Sequence, residues 1–226
     1  MNHHTNTVRI KAVANALGDL REKVVFVGGA TISLYPDRAV FEVRPTDDVD
    51  VIIEILNYVD RAELEEKLRL MGFAHDVESG VICRYKIQGI VVDIMPTNDP
   101  SIGFTNIWYP EGFSQAINYV IDERSTVKIL SAPYFIATKL EAHKDRGEND
   151  GRTSQDFEDI IYVLENRESI WEEMTNSGEV LKNYLRSEFQ ILLNNPSFFE
   201  WVDCHVERGS PPATYLIIDE IKNFVA

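Results

Sequence analysis

Lys23-Val-Val-Phe-Val-Gly-Gly-Ala-Thr31 is the stretch that decides the fold. After Lys23 it is an unbroken apolar run, the pattern of a short strand buried on both faces of a sheet. Gly28-Gly29 follows at once. Two adjacent glycines let the chain turn sharply and bring its backbone close to a ligand, where exposed N–H groups hold phosphate oxygens. A plain strand-ending turn uses the same pair. The glycines therefore gain weight only from what surrounds them.

A second strand is predicted from Asp48 to Ile55. Side chains alternate faces along a strand, so Asp48 and Asp50 share one side while Val49 and Val51 take the other. Two adjacent carboxylates repel, and no fold needs such a pair. A dication resolves it: Mg²⁺ takes oxygen ligands, commonly one or two carboxylates plus substrate phosphates. Solvated acids on an exposed strand edge are the plain alternative. Further on, Ile90-Val-Val-Asp93-Ile-Met95 sets a single acid inside an apolar strand. That is costly unless the acid is paired or binds metal. Three carboxylates suffice for two metals, which activate a hydroxyl and stabilise a leaving pyrophosphate. Arg44 and Thr46, just before the first acid strand, either touch phosphate or shape the turn.

The remaining periodicity fills in the layout. Residues 7–22 read as an amphipathic helix with Val8, Ala12, Leu17 and Leu20 among its apolar positions. Residues 60–71 read as a helix capped by Asp60 and stopped by Gly72. Strands are expected at 81–87 and 89–94, with Gly89 at their turn and Pro96 as a stop, and again at 127–130. From Ser131 the character changes. Ser131 and Pro133 open a helix to about Asp145. Ser154 caps a helix with Phe157, Ile160, Ile161 and Leu164 on its apolar face. Three or four more helices are expected over 169–226. The expected fold is α/β, a small mixed β-sheet with flanking helices in a domain at 1–128, followed by a helical domain at 129–226.

Whole-chain numbers narrow the function. The 226 residues suffice for one or two domains with a sizeable core. The net charge of −15 disfavours nucleic acid bound over a broad face, so a polynucleotide substrate would have to be gripped locally. No apolar run approaches the ~20 residues of a membrane span. The start of the chain lacks the charged-then-apolar order of a secretory signal, which predicts a cytoplasmic protein. Cys83 and Cys204 are expected to be reduced, packed thiols. The histidines at 3, 4, 75, 143 and 205 form no ligand spacing, and no Ser–His–acid or Cys–His set marks a nucleophilic hydrolase.

A strand, a diglycine, an Asp-x-Asp strand and a lone Asp on a third strand together resemble the polymerase-β-type nucleotidyltransferase superfamily. Pro133-Tyr-Phe-Ile-Ala-Thr-Lys139 and Ser154-Gln-Asp156-Phe-Glu-Asp159 are similar to the lysine helix and the acidic Asp-x-x-Asp helix of its AbiEii-like abortive-infection toxin branch. The resemblance covers roughly residues 24–165. It implies a triphosphate on Gly28 and Gly29, Mg²⁺ on Asp48 and Asp50, and Asp93 as general base or second-metal ligand. It implies that Lys139 contacts phosphate as a point charge. Asp156 or Asp159 would orient Lys139 or the acceptor. It implies transfer of a nucleoside monophosphate to a hydroxyl of RNA or protein, a toxin role, and a cognate antitoxin.

The sequence departs from the family pattern in two places. Ala30 stands where Ser is common, so a phosphate-binding hydroxyl would come from Thr31 or Ser33. Residues 35–43 look like an insertion. Taken alone, Lys139 would read as a surface lysine with its head in water, and Asp156 as an acid favoured by its helix dipole. Two other functions fit the same residues: an inactive scaffold that binds nucleotide or protein, and transfer to a small molecule such as an aminoglycoside.

Overall fold

The computed structural model describes residues 2–37, 43–55, 58–98, 106–148, 150–207, 209 and 212–226. The chain divides into two compact units, Met1–Leu34 with Phe41–Ser131, and Tyr35–Val40 with Ala132–Ala226. The change of unit thus falls between Ser131 and Ala132, and a short piece after Leu34 groups with the helices. Of the expected insertion at 35–43, residues 38–42 lie outside the described residues.

The first unit is built on a seven-stranded mixed sheet. Its strands are β1 (Val24–Val27), β2 (Asp48–Ile53), β3 (Ala74–His75), β4 (Arg84–Ile87), β5 (Ile90–Pro96), β6 (Ile117–Asp122) and β7 (Ser125–Ile129), in the order β3-β4-β5-β2-β1-β7-β6. The expected α/β class holds, but the sheet is larger than its sequence signal. All four residues of β1 are buried, because it lies between β2 and β7 and is covered on both faces. β6 is not among the expected strands, although Ile117, Tyr119 and Ile121 alternate with Asn118 and Asp122: it is an edge strand whose Ile117 and Val120 are exposed.

Helix α1 (Asn2–Ala16) ends earlier than its pattern suggests, because Gly18 takes a left-handed φ of +51° and a 3-10 turn, Gly18–Lys23, follows. Ile10, Val13 and Leu17 still lie in the core. Helix α2 (Tyr58–Leu70) starts before Asp60, which stands in its first turn rather than at the cap. Gly72, at φ +90°, ends it as expected. A short helix, α3 (Tyr109–Ser114), precedes β6. Gln88 and Gly89 both have positive φ and form the two-residue turn between β4 and β5. That turn pairs Ile87 with Ile90 and so fixes every cross-strand partner behind it.

The second unit is helical: α4 (Ala132–Arg146), α5 (Gln155–Asn166), α6 (Ile170–Thr175), α7 (Glu179–Leu193), α8 (Phe198–His205) and α9 (Thr214–Val225). Ser154 caps α5, its Oγ accepting from the Phe157 backbone N–H at 3.2 Å. Phe157 is fully buried against the rings of Phe198, Trp201, His143 and His205. The last sixty residues complete this core, with Met174, Leu181, Leu185, Phe189 and Ile221 at 1% exposure or less. Both cysteines are free as expected, but only Cys83 is packed; Cys204 is exposed on α8. No helix among the described residues is long and apolar enough to cross a membrane.

Candidate active site

The sheet sets four positions in one row across β1, β2, β5 and β4. Val27 pairs with Asp50, Asp50 with Asp93, and Asp93 with Arg84. Residues paired across neighbouring strands project to the same face, so Asp50, Asp93 and Arg84 stand side by side. Asp48, two residues before Asp50, joins that face. One ligand oxygen from each of Asp48, Asp50 and Asp93 lies within 4.8 Å of the others. Asp93 is the buried member, while Asp48 and Asp50 are half-buried.

Gly28 closes the site from the β1 side. It has a φ of +71°, and a Cβ placed there would stand 1.9 Å from Oδ2 of Asp50. No side chain fits, so glycine is required both by the backbone angle and by the carboxylate against it. Gly29 opens a 3-10 turn, Gly29–Leu34. Thr31 and Ser33 lie in that turn, and their hydroxyls serve its backbone: Thr31 Oγ1 donates to Gly28 O at 2.8 Å and Ser33 Oγ to Ala30 O at 3.2 Å. Both residues are almost fully buried. Thr46 Oγ1 donates to Asp48 O at 3.3 Å and also reaches Asn6 Oδ1. The backbone O of Arg44 accepts from Asn6 at 3.3 Å. Asn6 on α1 thus ties down the chain entering β2, and Thr46 and the Arg44 backbone shape that entry.

Arg84 is the site residue the sequence reading did not single out. Its guanidinium grips Asp93 with two parallel bonds, Nε to Oδ1 at 2.8 Å and Nη2 to Oδ2 at 2.7 Å, and Nη2 lies 3.6 Å from Asp48 Oδ2. These bonds to Asp93 hold its pKa well above the usual arginine range, against the opposing effect of burial. The signal was present in the turn: counting back from Gln88-Gly89 leads through three pairs to Arg84 opposite Asp93.

The second constellation lies within the helical unit. Lys139 on α4 is buried, not a surface lysine, and its ammonium meets Asp156 at 3.0 Å and Asp159 at 2.6 Å, both on α5. Burial opposes its charge, but the two carboxylates prevail and hold its pKa above the usual lysine range. Arg146, at the end of α4, forks onto Asp156 at 2.7 and 2.9 Å. Burial pushes Asp156 upward, yet the Arg146 bonds and the Lys139 charge bring it down to about 2. Nearby, His143 Nδ1 lies 2.8 Å from Ser154 Oγ, and burial lowers the pKa of that imidazole.

The family model for the nucleotidyltransferase AbiEii toxin of type IV toxin–antitoxin systems matches residues 12–203. A search of curated proteins gives no match. Among solved structures, the antibiotic-resistance factor ANT(2'')-Ia has a similar fold, with a TM-score of 0.52 at 21% identity over 85% of this chain and 97% of that one. The family match spans both the acid row and the Lys139 network, and the structural likeness carries the same fold through nearly the whole of the other chain. The chain therefore belongs to the AbiEii family of nucleotidyltransferase toxins.

Proposed function

We propose that the protein transfers a nucleoside monophosphate from a triphosphate to a hydroxyl of RNA or protein, using Mg²⁺ held by Asp48, Asp50 and Asp93. The observation that carries this reading is the acid row on adjacent strands with the Gly28 backbone pressed against it. The donor set suits the ion: hard carboxylate oxygens, separated by little more than the ~4 Å that opposite ligands span around Mg²⁺. Bound there, Mg²⁺ supplies orientation of the triphosphate and neutralisation of charge on the departing pyrophosphate.

The chain's own residues do the rest. Asp48 and Asp50 hold one edge of the site from β2, and Asp93 holds the other from β5. Gly28 lets the chain lie against Asp50, and the triphosphate would seat on the backbone of Gly28 and Gly29. Since the Thr31 and Ser33 hydroxyls serve their own turn, phosphate contacts from this segment fall to its backbone. The acceptor oxygen attacks the α-phosphorus as the bond to pyrophosphate breaks, and the hydroxyl's proton passes to Asp93 as general base or, where Asp93 holds metal, to water. Positioning and fixed charge carry most of the rate. Within the helical unit Lys139 organises Asp156 and Asp159; by the family resemblance it would contact a phosphate, with one of those acids orienting it. The family's toxin–antitoxin description extends to this chain as a cognate antitoxin partner.

The test is label transfer. The protein is incubated with Mg²⁺, each α-labelled nucleoside triphosphate in turn, and a mixture of total RNA and cell protein. Label on one macromolecule, lost on chelation, is expected and identifies the acceptor. Mg²⁺-dependent nucleotide binding without label would move the acceptor to a small molecule. Neither binding nor label would leave an inactive scaffold.

Gly28→Ala is expected to lower transfer by about 10²-fold, because the new methyl must displace Asp50, and misplacement by ~1 Å is worth a factor of that size. The left-handed φ adds about 1–2 kcal/mol of destabilisation. Steady-state rates and urea unfolding check the two effects separately. Full activity would show that Asp50 does not need its present position.

A further inference from the structure

We propose that Arg84 is a resident counter-cation of the acid row, which a divalent ion must displace from Asp93 before it can use that carboxylate; the inference rests on the metal reading above. The turn at Gln88-Gly89 places Arg84 directly across from Asp93, so the contact is fixed by register rather than by a chance surface rotamer. Its fork engages both oxygens of Asp93, at 2.8 and 2.7 Å. The same Nη2 that binds Asp93 also lies 3.6 Å from Asp48 Oδ2. One guanidinium thus takes a place between two of the three acids that an ion would use.

Arg84 brings one positive charge to a row of three carboxylates. The row therefore still attracts a dication. A dication and a guanidinium on the same carboxylate repel, however, and arginine cannot escape by losing its proton. It can only move. The Arg84 side chain is 27% exposed and the Asp93 side chain 11%, so the guanidinium has the wider path to water. Displacing it gives up a two-bond, charge-assisted contact, and the ion's affinity for the empty-handed enzyme falls accordingly. Once freed, the fork suits a phosphate oxygen pair, so a triphosphate that takes Arg84 would ease ion loading, and the ion would in turn favour the triphosphate.

The experiment uses the full chain and Mn²⁺ alone, with binding read by electron paramagnetic resonance. The variants are Arg84→Gln, Arg84→Lys and Asp48→Ala with Asp50→Ala, each checked for folding by circular dichroism. Arg84→Gln is expected to bind Mn²⁺ about tenfold or more tightly than wild type, the factor that ~1.4 kcal/mol of relieved competition produces. Arg84→Lys, which keeps a charge but loses the fork, should fall between them. The acid double variant should not bind. A folded Arg84→Gln that binds Mn²⁺ no more tightly than wild type, while the acid double variant loses binding, would overturn the inference and leave the metal reading standing. Mn²⁺ binding that the acid double variant retains undamaged would overturn both.

Discussion

Asp50→Asn is expected to lower nucleotide transfer by at least ~10³-fold while the melting temperature stays the same or rises. Asparagine matches the size of aspartate, so the contact with Gly28 survives and the strand register is untouched. What goes is one negative charge and one hard oxygen ligand. Loss of a single preorganised group of this kind costs about 10²–10³ in rate, and a displaced metal adds to that. Stability should move the other way. Asp50 stands within 4.8 Å of Asp48 and Asp93, and Arg84 is bonded to Asp93 and lies near Asp48. Removing one acid relieves repulsion that the folded state otherwise carries. A residue whose loss destroys activity yet spares or aids the fold is held for function. Initial rates of label transfer and a thermal melt decide the matter together. Activity within tenfold of wild type would remove Asp50 from the ligand set, and a lowered melt with lost activity would make its role structural.

How much of this was legible in the sequence depends on the distance over which each feature is determined. β1 was readable because a strand covered on both faces must be continuously apolar, and Val24 to Val27 are. The shared face of Asp48 and Asp50 followed from the period of a strand alone. That Asp93 stands in register with Asp50 did not follow. It is set by the parallel pairing of β2 with β5, and the chain between them passes through α2, β3 and β4. Arg84 was one count away, since a two-residue turn fixes its partners locally. The edge strand β6 was missed although Ile117, Tyr119 and Ile121 alternate along it; Val120 breaks the contrast, and none of its residues is fully buried. Thr31, Ser33 and Thr46 were visible as hydroxyls, but their direction is a matter of three-residue backbone geometry, and it turns them onto neighbouring carbonyls. Lys139 shows the widest gap. Lysine is rarely buried, and the partners that permit it lie 17 and 20 positions further along on the next helix. Only the family resemblance linked them before the structure did.

That buried network carries the second large effect. Lys139→Met should destabilise the protein by about 3–5 kcal/mol near neutral pH, the usual cost of removing one partner of a buried ion pair. Methionine fills much of the volume, so the loss is electrostatic. Asp159, fully buried, gives up a partner at 2.6 Å; Asp156 keeps Arg146 but loses the 3.0 Å contact. The pH dependence has a definite sign. In the wild type Asp156 is held at about 2, below the usual carboxylate value, so its stabilisation is present above the unfolded value near 4 and fades as pH falls through about 2. Lys139, raised above its usual value, contributes stability that is lost only in strongly alkaline solution. In the variant, the charge that favoured ionised carboxylates is gone while burial still opposes them. Protonation then relieves the variant, and its deficit relative to wild type should shrink as pH falls from neutral into the carboxylate range. Urea unfolding across that range measures the difference directly. Adding Asp159→Asn to Lys139→Met should recover part of the loss, since both partners then go together. A folded Lys139→Met of wild-type stability, deficient only in nucleotide affinity, would instead place Lys139 at the phosphate and make its pairing with Asp156 and Asp159 incidental to the fold.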